Sequence, residues 1–359
     1  INFTFAFLVV FSPMNFSTKL INWYTVNKRD LPWRSTNNPY YIWLSEIILQ
    51  QTQVVQGTPY YHAFTSQFPT VYDLAKANEE DVLKLWQGLG YYSRARNLHW
   101  SAKYIVKELD GVFPDTYKDI LKLKGVGDYT ASAIASICFN EVTAVVDGNV
   151  YRALSRIFGI ETPINSTSGQ KEFKALAQQL IDKQQPAIFN QAIMEFGARQ
   201  CKPKNPDCSV CPFKTGCLAL KENKIDVLPV KLKKTKVTKK YFNFIVIISK
   251  NEKTILEQRV GSGIWQNLYQ FPLIETEKPS TYNNIKSKIE NLDVLEDMNF
   301  DVHLYNDTDI IHKLSHQHLY TKFWIVSVDE SIEKGIEISN IKDFPVPILI
   351  GNFIDKFNF

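Results

Sequence analysis

Between residues 14 and about 224, apolar residues recur at helical spacing in short segments that glycine and proline separate. An amphipathic segment lies at 16–24. The later segments with this spacing are 43–53, 66–78, 79–87, 93–109, 117–123, 129–138, 150–158, 168–183 and 188–200. This pattern predicts an all-α domain over residues 14–224.

The pattern changes in the last third of the chain. Residues 241–248 and 319–328 are rich in β-branched and aromatic side chains, which favours strands, and the stretch 283–295 between them has helical spacing. The prediction for residues 241–359 is an α+β domain. Between the two domains, Leu228 to Lys240 includes six lysines and no acid. A basic linker is therefore expected over residues 225–240.

The composition limits the function classes without choosing one. The 359 residues are 45% hydrophobic and 22% charged, which excludes wholesale disorder. A net charge of +4 permits a polyanionic partner. The apolar run from Phe3 to Phe11 is too short to cross a bilayer, so no membrane partner is expected. Since Met14 precedes the amphipathic segment, we expect the native chain to start there and residues 1–13 to be upstream translation, with a degraded signal peptide as the alternative.

Four of the five cysteines form the pattern Cys-x6-Cys-x2-Cys-x5-Cys within residues 201–217. An odd total suits a disulfide framework poorly, whereas clustered thiols suit a metal site in a reducing, cytoplasmic compartment. Spacing alone leaves a structural zinc, an iron–sulfur cluster and two local disulfides open. The four candidate ligands are Cys201, Cys208, Cys211 and Cys217. Cys138 lies in an apolar helical stretch and is expected in the core.

A tight turn is predicted at Gly125-Val126-Gly127, between two helical segments. The helix after such a turn presents free N–H groups that suit a DNA phosphate, although many helix pairs use the same turn only for packing. Asp147 follows an apolar run at a helix start, where a carboxylate is most often a helix cap. Lys122 and Lys124 precede the turn and are either phosphate contacts or solvated surface.

Together, the hairpin Gly125-Val126-Gly127 and Asp147 resemble the helix-hairpin-helix motif and catalytic aspartate of the DNA glycosylase superfamily. The cysteine spacing resembles the [4Fe-4S] loop of its endonuclease III-like members, which implies iron rather than zinc. Bifunctional members carry a nucleophilic lysine two positions after the second hairpin glycine. Tyr129 stands there in this chain, which implies a monofunctional glycosylase without strong lyase activity.

Further segments resemble the adenine DNA glycosylase (MutY) family: Leu-Pro-Trp-Arg at 31–34, Trp-Leu-Ser-Glu-Ile-Ile-Leu-Gln-Gln-Thr at 43–52, Gly-Leu-Gly-Tyr-Tyr-Ser-Arg-Ala-Arg-Asn-Leu at 88–98 and Val-Asp-Gly-Asn-Val at 146–150. The resemblance implies base excision repair of double-stranded DNA. It implies removal of adenine mispaired with 8-oxoguanine or guanine, by a protein expected to be a monomer associated with the nucleoid.

The resemblance also implies roles for residues of the helical domain. Glu46 would be the general acid, with a pKa raised by burial, although a lone glutamate on a helix is more often solvated. Asp147 would stay ionised and stabilise an oxocarbenium-like sugar. Asn149 and Tyr129 would support the sugar and the acid. Gln51 and Tyr91 match the positions that wedge into DNA. The positions that line the adenine pocket match Trp33, Arg34 and Gln191, although Trp33 could equally be a core residue.

Residues 241–359 resemble the Nudix-fold (MutT-like) C-terminal domain of the same family, through Gly263 to Pro272. No Nudix box of paired glutamates is found, so we expect binding without hydrolysis. The resemblance implies that this domain recognises 8-oxoguanine opposite the target adenine. The family's recognition loop matches residues 312–316, which include Ser315 and His316. Leu314 stands where the family frequently has a phenylalanine. The alternative to a recognition loop is a polar strand edge or turn without a role in binding.

The sequence thus predicts a multidomain α and α+β protein: an all-α helix-hairpin-helix glycosylase core with an iron–sulfur loop, followed by a Nudix-like domain. Three alternatives remain. A pyrimidine glycosylase with lyase activity would need a lysine at position 129. A DNA-binding module without catalysis would release no base, and a Nudix hydrolase would need the missing box.

Overall fold

The computed structural model describes residues 12–232, 237–357 and 359. The chain divides into two compact units. The helical unit comprises the described parts of residues 1–76 and 97–233, and the sheet unit comprises residues 77–96 and the described part of 234–359. The expected upstream segment 1–13 lies almost wholly outside the described residues.

Helices dominate the first two thirds of the chain, as the apolar spacing predicts. They are α1 Pro13–Asn27, α2 Pro39–Leu49, α3 Val54–Gln67, α4 Val71–Lys76, α5 Glu79–Leu85, α6 Ser93–Glu108, α7 Tyr117–Ile120, α8 Asp128–Phe139, α9 Gly148–Phe158, α10 Thr167–Leu180, α11 Pro186–Arg199 and α12 Leu218–Lys221. Helix α5 lies in the sheet unit, and α6 begins there and continues into the helical unit.

The sequence pattern missed helix α3. Gly57 and Pro59 lie inside it, and both residue types normally interrupt helices. Gly57 has a packing reason, because a Cβ added there would come within 2.9 Å of Leu49 Cδ2. The absence of a side chain lets α3 approach the end of α2 closely. Only residues 71–76 of the expected helix 66–78 are a separate helix.

The core of the helical unit contains a cluster of phenylalanine rings that also anchors the cysteine segment. Phe213, between the third and fourth cysteines, is fully buried. Its ring stacks on Phe16 of α1 at a centroid distance of 4.7 Å and meets Phe196 of α11 edge-on at 5.3 Å. Residues 201–217 are thereby fixed to the same core as the helices.

The sheet unit contains the strands β1 Thr238–Ser249, β2 Lys253–Thr254, β3 Glu257–Gln258, β4 Tyr269–Gln270, β5 Leu273–Thr276, β6 Phe300–Leu304, β7 Ile310–Lys313, β8 Gln317–Val328 and β9 Ile336–Glu337. The main sheet has the order β5-β1-β8-β6, and β7 also pairs with β8. The long central strands β1 and β8 run parallel. Helices α13 Tyr282–Ile289 and α14 Ile348–Phe357 complete the unit, so the predicted α+β class is confirmed.

Residues 77–96 cluster with the sheet unit because their polar groups bond to it. The Glu79 and Glu80 carboxylates accept hydrogen bonds from Asn267 Nδ2 at 2.5 Å and from the Tyr269 hydroxyl at 2.7 Å. The Tyr92 hydroxyl donates to the Val346 carbonyl at 3.3 Å. Helical spacing alone carries no information about which partner a helix packs against.

The described flanks of the expected linker 225–240 are ordered. Leu228 is buried, and the Val230 carbonyl accepts from Ile164 N at 3.0 Å. Strand β1 already begins at Thr238, whose N–H donates to the His316 carbonyl at 3.1 Å. Residues 233–236 lie outside the described residues. Among the described helices, none combines the length and apolar character needed to cross a membrane.

Candidate active site

Glu46 lies on helix α2, which Asn38 caps by accepting a hydrogen bond from Tyr40 N at 3.0 Å. Apolar residues of α2 surround Glu46 in sequence and are buried. Glu46 retains partial exposure, as an acid that acts on a bound ligand must. Burial raises the pKa of Glu46 to about 7, a hydrogen-bonding interaction with Tyr129 opposes the rise, and the charge of Asp147 adds to it.

Tyr129, in the first turn of α8, joins this group. Its hydroxyl donates to Met194 Sδ at 3.0 Å. Burial, followed by the charges of Glu46 and Asp147, raises the pKa of Tyr129 well above its usual value. The phenol therefore stays neutral and can donate a hydrogen bond to a carboxylate. The structure thus brings Glu46, Tyr129 and Asp147 into one cluster.

Asp147 caps helix α9. Its Oδ1 accepts from Asn149 N at 2.9 Å and from Val150 N at 2.8 Å, and its Oδ2 accepts from Asn149 Nδ2 at 2.7 Å. Burial raises the pKa of the Asp147 carboxyl, and the donors from Val150 and Asn149 hold the rise back. The structure thus has Asp147 as the N-cap of α9, with a charge that acts on Glu46.

Buried amide side chains fix the extended segment that leads to Asp147. Asn190, fully buried on α11, accepts from Val145 N at 3.1 Å and donates to the Thr143 carbonyl at 2.8 Å. Arg152 Nη2 donates to Asn149 Oδ1 at 2.9 Å. These contacts restrict the movement of Asp147 and Asn149 relative to α11 and α9.

A buried carboxylate organises two arginines of the helical unit. Glu195 is 1% exposed and accepts from Arg29 Nε at 2.8 Å, Arg29 Nη2 at 2.7 Å and Arg34 Nη2 at 2.9 Å. Burial alone would raise the pKa of Glu195, but the hydrogen bonds from Arg29 and Arg34 outweigh it and lower this pKa to about 2. Both guanidinium groups are consequently held in fixed orientations.

Arg29 and Arg34 line a pocket of about 570 Å³ that also includes Tyr24, Ile137 and Gln191. The Tyr24 hydroxyl donates to Gln191 Oε1 at 2.7 Å. The volume suits a small planar ligand. Of the expected adenine-pocket residues, the structure brings Arg34 and Gln191 together at this pocket.

Trp33 is placed differently from Arg34 and Gln191. It is buried in a short 3-10 helix, Pro32–Arg34, and its ring meets that of Tyr61 edge-on at a centroid distance of 5.3 Å. It is absent from the described lining of the 570 Å³ pocket. Trp33 therefore supports the neighbouring Arg34 from the core.

The hairpin glycines have different environments. Gly125 has a φ of +82°, and a Cβ there would lie 2.8 Å from Asn97 Cβ. Gly127 is the N-cap of α8 with a φ of −101°, and a Cβ there would meet nothing within 4 Å. The fold requires glycine at position 125, but nothing in the described protein requires it at 127.

The expected wedge residues share an unusual backbone. Gln51 and Tyr91 have φ values of 56° and 47°, in the left-handed region that side chains normally avoid. Both are exposed. Within the sheet unit, the Tyr91 hydroxyl lies 2.6 Å from Ser315 Oγ at the tip of the β7–β8 hairpin. Two predicted DNA-recognition residues, Tyr91 and Ser315, are thus adjacent.

His316 lies beside Ser315 at this hairpin tip and is exposed. Its carbonyl accepts from Thr238 N, which ties the hairpin to β1. The His312 ring contacts that of Trp265 in a tilted arrangement at a centroid distance of 5.8 Å, and burial lowers the pKa of His312. The sheet unit's helix α13 contains no carboxylate, so its side chains offer no acidic metal ligands of the Nudix type.

The four thiols of residues 201–217 influence one another electrostatically. Burial raises the pKa of Cys211 to about 12, a backbone hydrogen bond from Phe213 opposes the rise, and the charges of Cys201, Cys217 and Cys208 add to it. All four are free thiols. Among the described residues, no three His, Cys, Asp or Glu side chains meet in an arrangement that would hold a metal ion.

Buried Arg156 organises the cysteine segment. It donates to Cys201 Sγ at 3.6 Å and to the carbonyls of Lys202 and Pro203 at 2.7 and 3.1 Å. Cysteine sulfur is the ligand that soft metal centres prefer. The donor chemistry of the segment therefore fits a soft metal centre.

Sequence reasoning missed Glu195, Arg29, Tyr24 and Arg156. Glu195 had a usable signal, because it lies between Ile193 and Phe196 on the apolar face of a helix. A carboxylate at such a position needs a cationic partner. The sequence does not reveal that the partners lie more than 160 residues earlier, at positions 29 and 34.

Comparison with known proteins defines the class of this fold and site. Residues 44–194 match the HhH-GPD superfamily of base excision DNA repair proteins, and residues 243–356 match the NUDIX domain. The solved structure of a thermostable thymine-DNA glycosylase matches with a TM-score of 0.56 and 28% identity, over 60% of this chain and 99% of that one. The helix-hairpin-helix core and the Nudix-like domain are therefore confirmed.

Curated relatives narrow the class. The adenine DNA glycosylase of Buchnera aphidicola subsp. Baizongia pistaciae (strain Bp) is 35% identical over 315 residues, covering 87% of this chain and 86% of that protein. The adenine DNA glycosylase of Mus musculus is 47% identical over 213 residues, covering 57% of this chain and 41% of that protein. The chain belongs to the adenine DNA glycosylase family.

Proposed function

We propose that this chain binds double-stranded DNA and hydrolyses the N-glycosidic bond of adenine mispaired with 8-oxoguanine or guanine. The observation that carries the proposal is the acid cluster: Glu46, with a pKa of about 7, lies beside the neutral phenol of Tyr129 and the hydrogen-bonded carboxylate of Asp147. Two carboxyl groups in such different environments suit one proton donor and one anion.

In the proposed reaction, protonated Glu46 transfers its proton to N7 of adenine while the bond between C1′ and N9 breaks. The bonding electron pair leaves with the base, which departs as neutral adenine. The sugar becomes an oxocarbenium-like cation that ionised Asp147 stabilises. Water then adds to C1′ and loses a proton, leaving an abasic site. Asn149 and Tyr129 keep the two carboxyl groups in place.

The pocket formed by Arg34 and Gln191 would receive the extruded adenine, since a base cannot react inside the helical stack. Its amide and guanidinium groups can donate to purine ring nitrogens. Gln51 would fill the gap that the base leaves. Its exposed position and left-handed backbone in the loop after α2 support this role.

In the sheet unit, Tyr91 and Ser315 would contact the DNA together. Ser315, and His316 beside it, would bind the base opposite adenine, and Tyr91 would wedge between base pairs. The proximity of the two hydroxyl groups, 2.6 Å, supports a shared binding surface. Because α13 lacks carboxylates, the proposed role of this unit is recognition without hydrolysis.

We propose domains at 14–224 and 241–359 joined by residues 225–240, in a monomeric protein.

We also propose that Cys201, Cys208, Cys211 and Cys217 bind a [4Fe-4S] cluster. Four thiols grouped around Cys211 and the Arg156 donor support it. When bound, the cluster would supply a rigid cross-link of the segment and no chemistry to the glycosidic bond. Within this segment, Lys202, Lys204 and Lys214 are exposed and available to phosphates.

The deciding experiment uses a duplex with one adenine opposite 8-oxoguanine. Incubation with the protein should yield free adenine and an abasic site, which alkali then cleaves. Strand breakage before alkali, or borohydride trapping of protein on DNA, would indicate a lyase and contradict the role of Tyr129. Binding without base release would leave a non-catalytic module. Hydrolysis of nucleoside triphosphates would restore the Nudix alternative.

The rate of adenine release should depend on pH through Glu46. Because the acid form is the active one and the pKa of Glu46 is about 7, the single-turnover rate should be constant well below pH 7 and fall about tenfold per unit well above it. The measurement is the rate of single-turnover adenine release at saturating protein, at pH values below and above 7. A rate that stays level to pH 9 would show that Glu46 is not the proton donor.

The hairpin glycines should separate folding from DNA binding. Gly125→Ala should lower the free energy of unfolding by about 1–2 kcal/mol, because alanine is strained at a φ of +82°. Gly127→Ala should leave stability within about 0.5 kcal/mol but weaken DNA binding, since only an approaching phosphate would meet the new methyl group. Urea unfolding and DNA titration measure the two effects. Unchanged binding by Gly127→Ala would mean that α8 does not approach the backbone.

A further inference from the structure

Helix α6 carries an exposed aromatic pair beside the hairpin. Trp100 is 46% exposed, and its ring stacks on that of Tyr104 at a centroid distance of 5.5 Å and an angle of 8°. The Nζ of Lys124, the residue directly before Gly125, lies 5.3 Å from the centroid of the Trp100 ring. Because nearly half of the Trp100 surface is exposed, this side chain contributes little to the core, and its contact with Lys124 lies at the protein surface.

The same face of α6 holds the backbone of the hairpin. Ser101 Oγ donates to the Lys124 carbonyl at 3.1 Å, and Asn97 approaches Gly125 so closely that no side chain fits there. Backbone and side chain of Lys124 are therefore both fixed to α6. The ammonium group is thus positioned at the rim of the turn.

Two charged residues on either side of the turn are neutralised within the protein. Asp128, in the first turn of α8, pairs with Lys174 at 2.9 Å and accepts from the Tyr117 hydroxyl at 2.8 Å. Lys122 pairs with Asp119 at 2.7 Å. Among the residues that the structure describes, Lys124 forms no ion pair with a carboxylate, so its charge is left for an anion.

We propose that Lys124 is a DNA phosphate contact that the Trp100–Tyr104 pair positions before DNA arrives, extending the hairpin interface onto α6. The proposal rests on the proposed function in that DNA is the anion. A cation held over an aromatic face keeps its N–H donors available while it loses side-chain freedom in advance. The ligand is a backbone phosphate, so the contact should not depend on base sequence.

The test measures binding to an undamaged duplex by fluorescence anisotropy at KCl concentrations from about 50 to 200 mM. Lys124→Gln should make the salt dependence weaker: the negative slope of log K against log salt should become smaller in magnitude by about 0.9, the value for one phosphate contact. Lys107→Gln is the matched control, because Lys107 is an exposed lysine of α6 that pairs with Glu108 instead. An unchanged slope for Lys124→Gln would overturn the proposal.

A double-mutant cycle tests the role of Trp100. Trp100→Leu should weaken binding about two- to fivefold when Lys124 is present, which is the strength of an exposed cation–π contact, and have no effect when it is glutamine. Trp100→Phe should retain most of the binding. A loss that persists in the Lys124→Gln background would mean that Trp100 contacts DNA itself, and would overturn the positioning role.

Single-turnover adenine release at saturating protein separates this proposal from the proposed function. Lys107→Gln, the control variant that leaves the hairpin contact intact, should release adenine at the unaltered rate. A protein that releases no adenine would contradict the proposed function and leave the binding test intact. Thermal unfolding of each variant checks the fold, which the exposed positions of Trp100 and Lys124 should leave unaffected.

Discussion

Glu46→Gln should bind a duplex with adenine opposite 8-oxoguanine and release adenine about 10²- to 10⁴-fold more slowly. The substitution keeps the size and hydrogen-bonding groups of the side chain and removes only its transferable proton. Tyr129, Asp147 and the pocket residues stay as they are. Single-turnover release and anisotropy with the same duplex measure the two quantities. Activity equal to that of the unaltered protein would remove Glu46 from the proposed role.

Folding provides an internal control for this variant. The pKa of Glu46 in the folded protein is about 7, above its ordinary value, so ionisation of Glu46 lowers stability as the pH rises through 7. Glutamine carries no such charge. Glu46→Gln should therefore be relatively more stable at pH 8 than at pH 6, compared with the unaltered protein in urea unfolding. A loss of activity with this stability pattern cannot be attributed to misfolding.

The sequence was most informative where chemistry depends on local spacing. Gly125, Gly127 and Asp147 sit at turns and helix starts that residue type and spacing predict, and the structure has Gly127 and Asp147 as N-caps of α8 and α9. The position of Glu46 among buried α2 residues follows in the same way from helical spacing. The α+β class of residues 241–359 was predictable because its two long strands are rich in β-branched and aromatic residues, whereas the Nudix likeness came from the resemblance of residues 263–272.

Long-range contacts were not predictable. The ion pairs between Glu195 and the two arginines join positions that no local pattern links, and they hold two guanidinium groups that line the pocket. Trp33 shares a motif with Arg34 but packs into the core, since adjacent residues of a 3-10 helix point in different directions. Residues 77–96 belong to the sheet unit because of specific hydrogen bonds that helical periodicity does not encode.

The sequence leaves two roles open for Asp147, a helix cap and a catalytic carboxylate, and one pair of variants separates them. Asp147→Asn retains an oxygen that can accept from Asn149 N and Val150 N, so the cap of α9 survives while the negative charge is lost. If the carboxylate stabilises a cationic sugar, adenine release should fall about 10²- to 10³-fold. The free energy of unfolding should change little by comparison.

Asp147→Ala removes both the cap and the charge. It should show a similar loss of adenine release and, in addition, a free energy of unfolding lower by about 1 kcal/mol. For each of the two variants, the measurements are the rate of single-turnover adenine release and the free energy of unfolding in urea. Together they distinguish the role of Asp147 as a helix cap from its role as a catalytic charge. Near-normal release by Asp147→Asn, with only Asp147→Ala impaired, would reduce Asp147 to a helix cap. Loss of release in both, with loss of stability confined to alanine, assigns the catalytic role to the charge and the structural role to the oxygen.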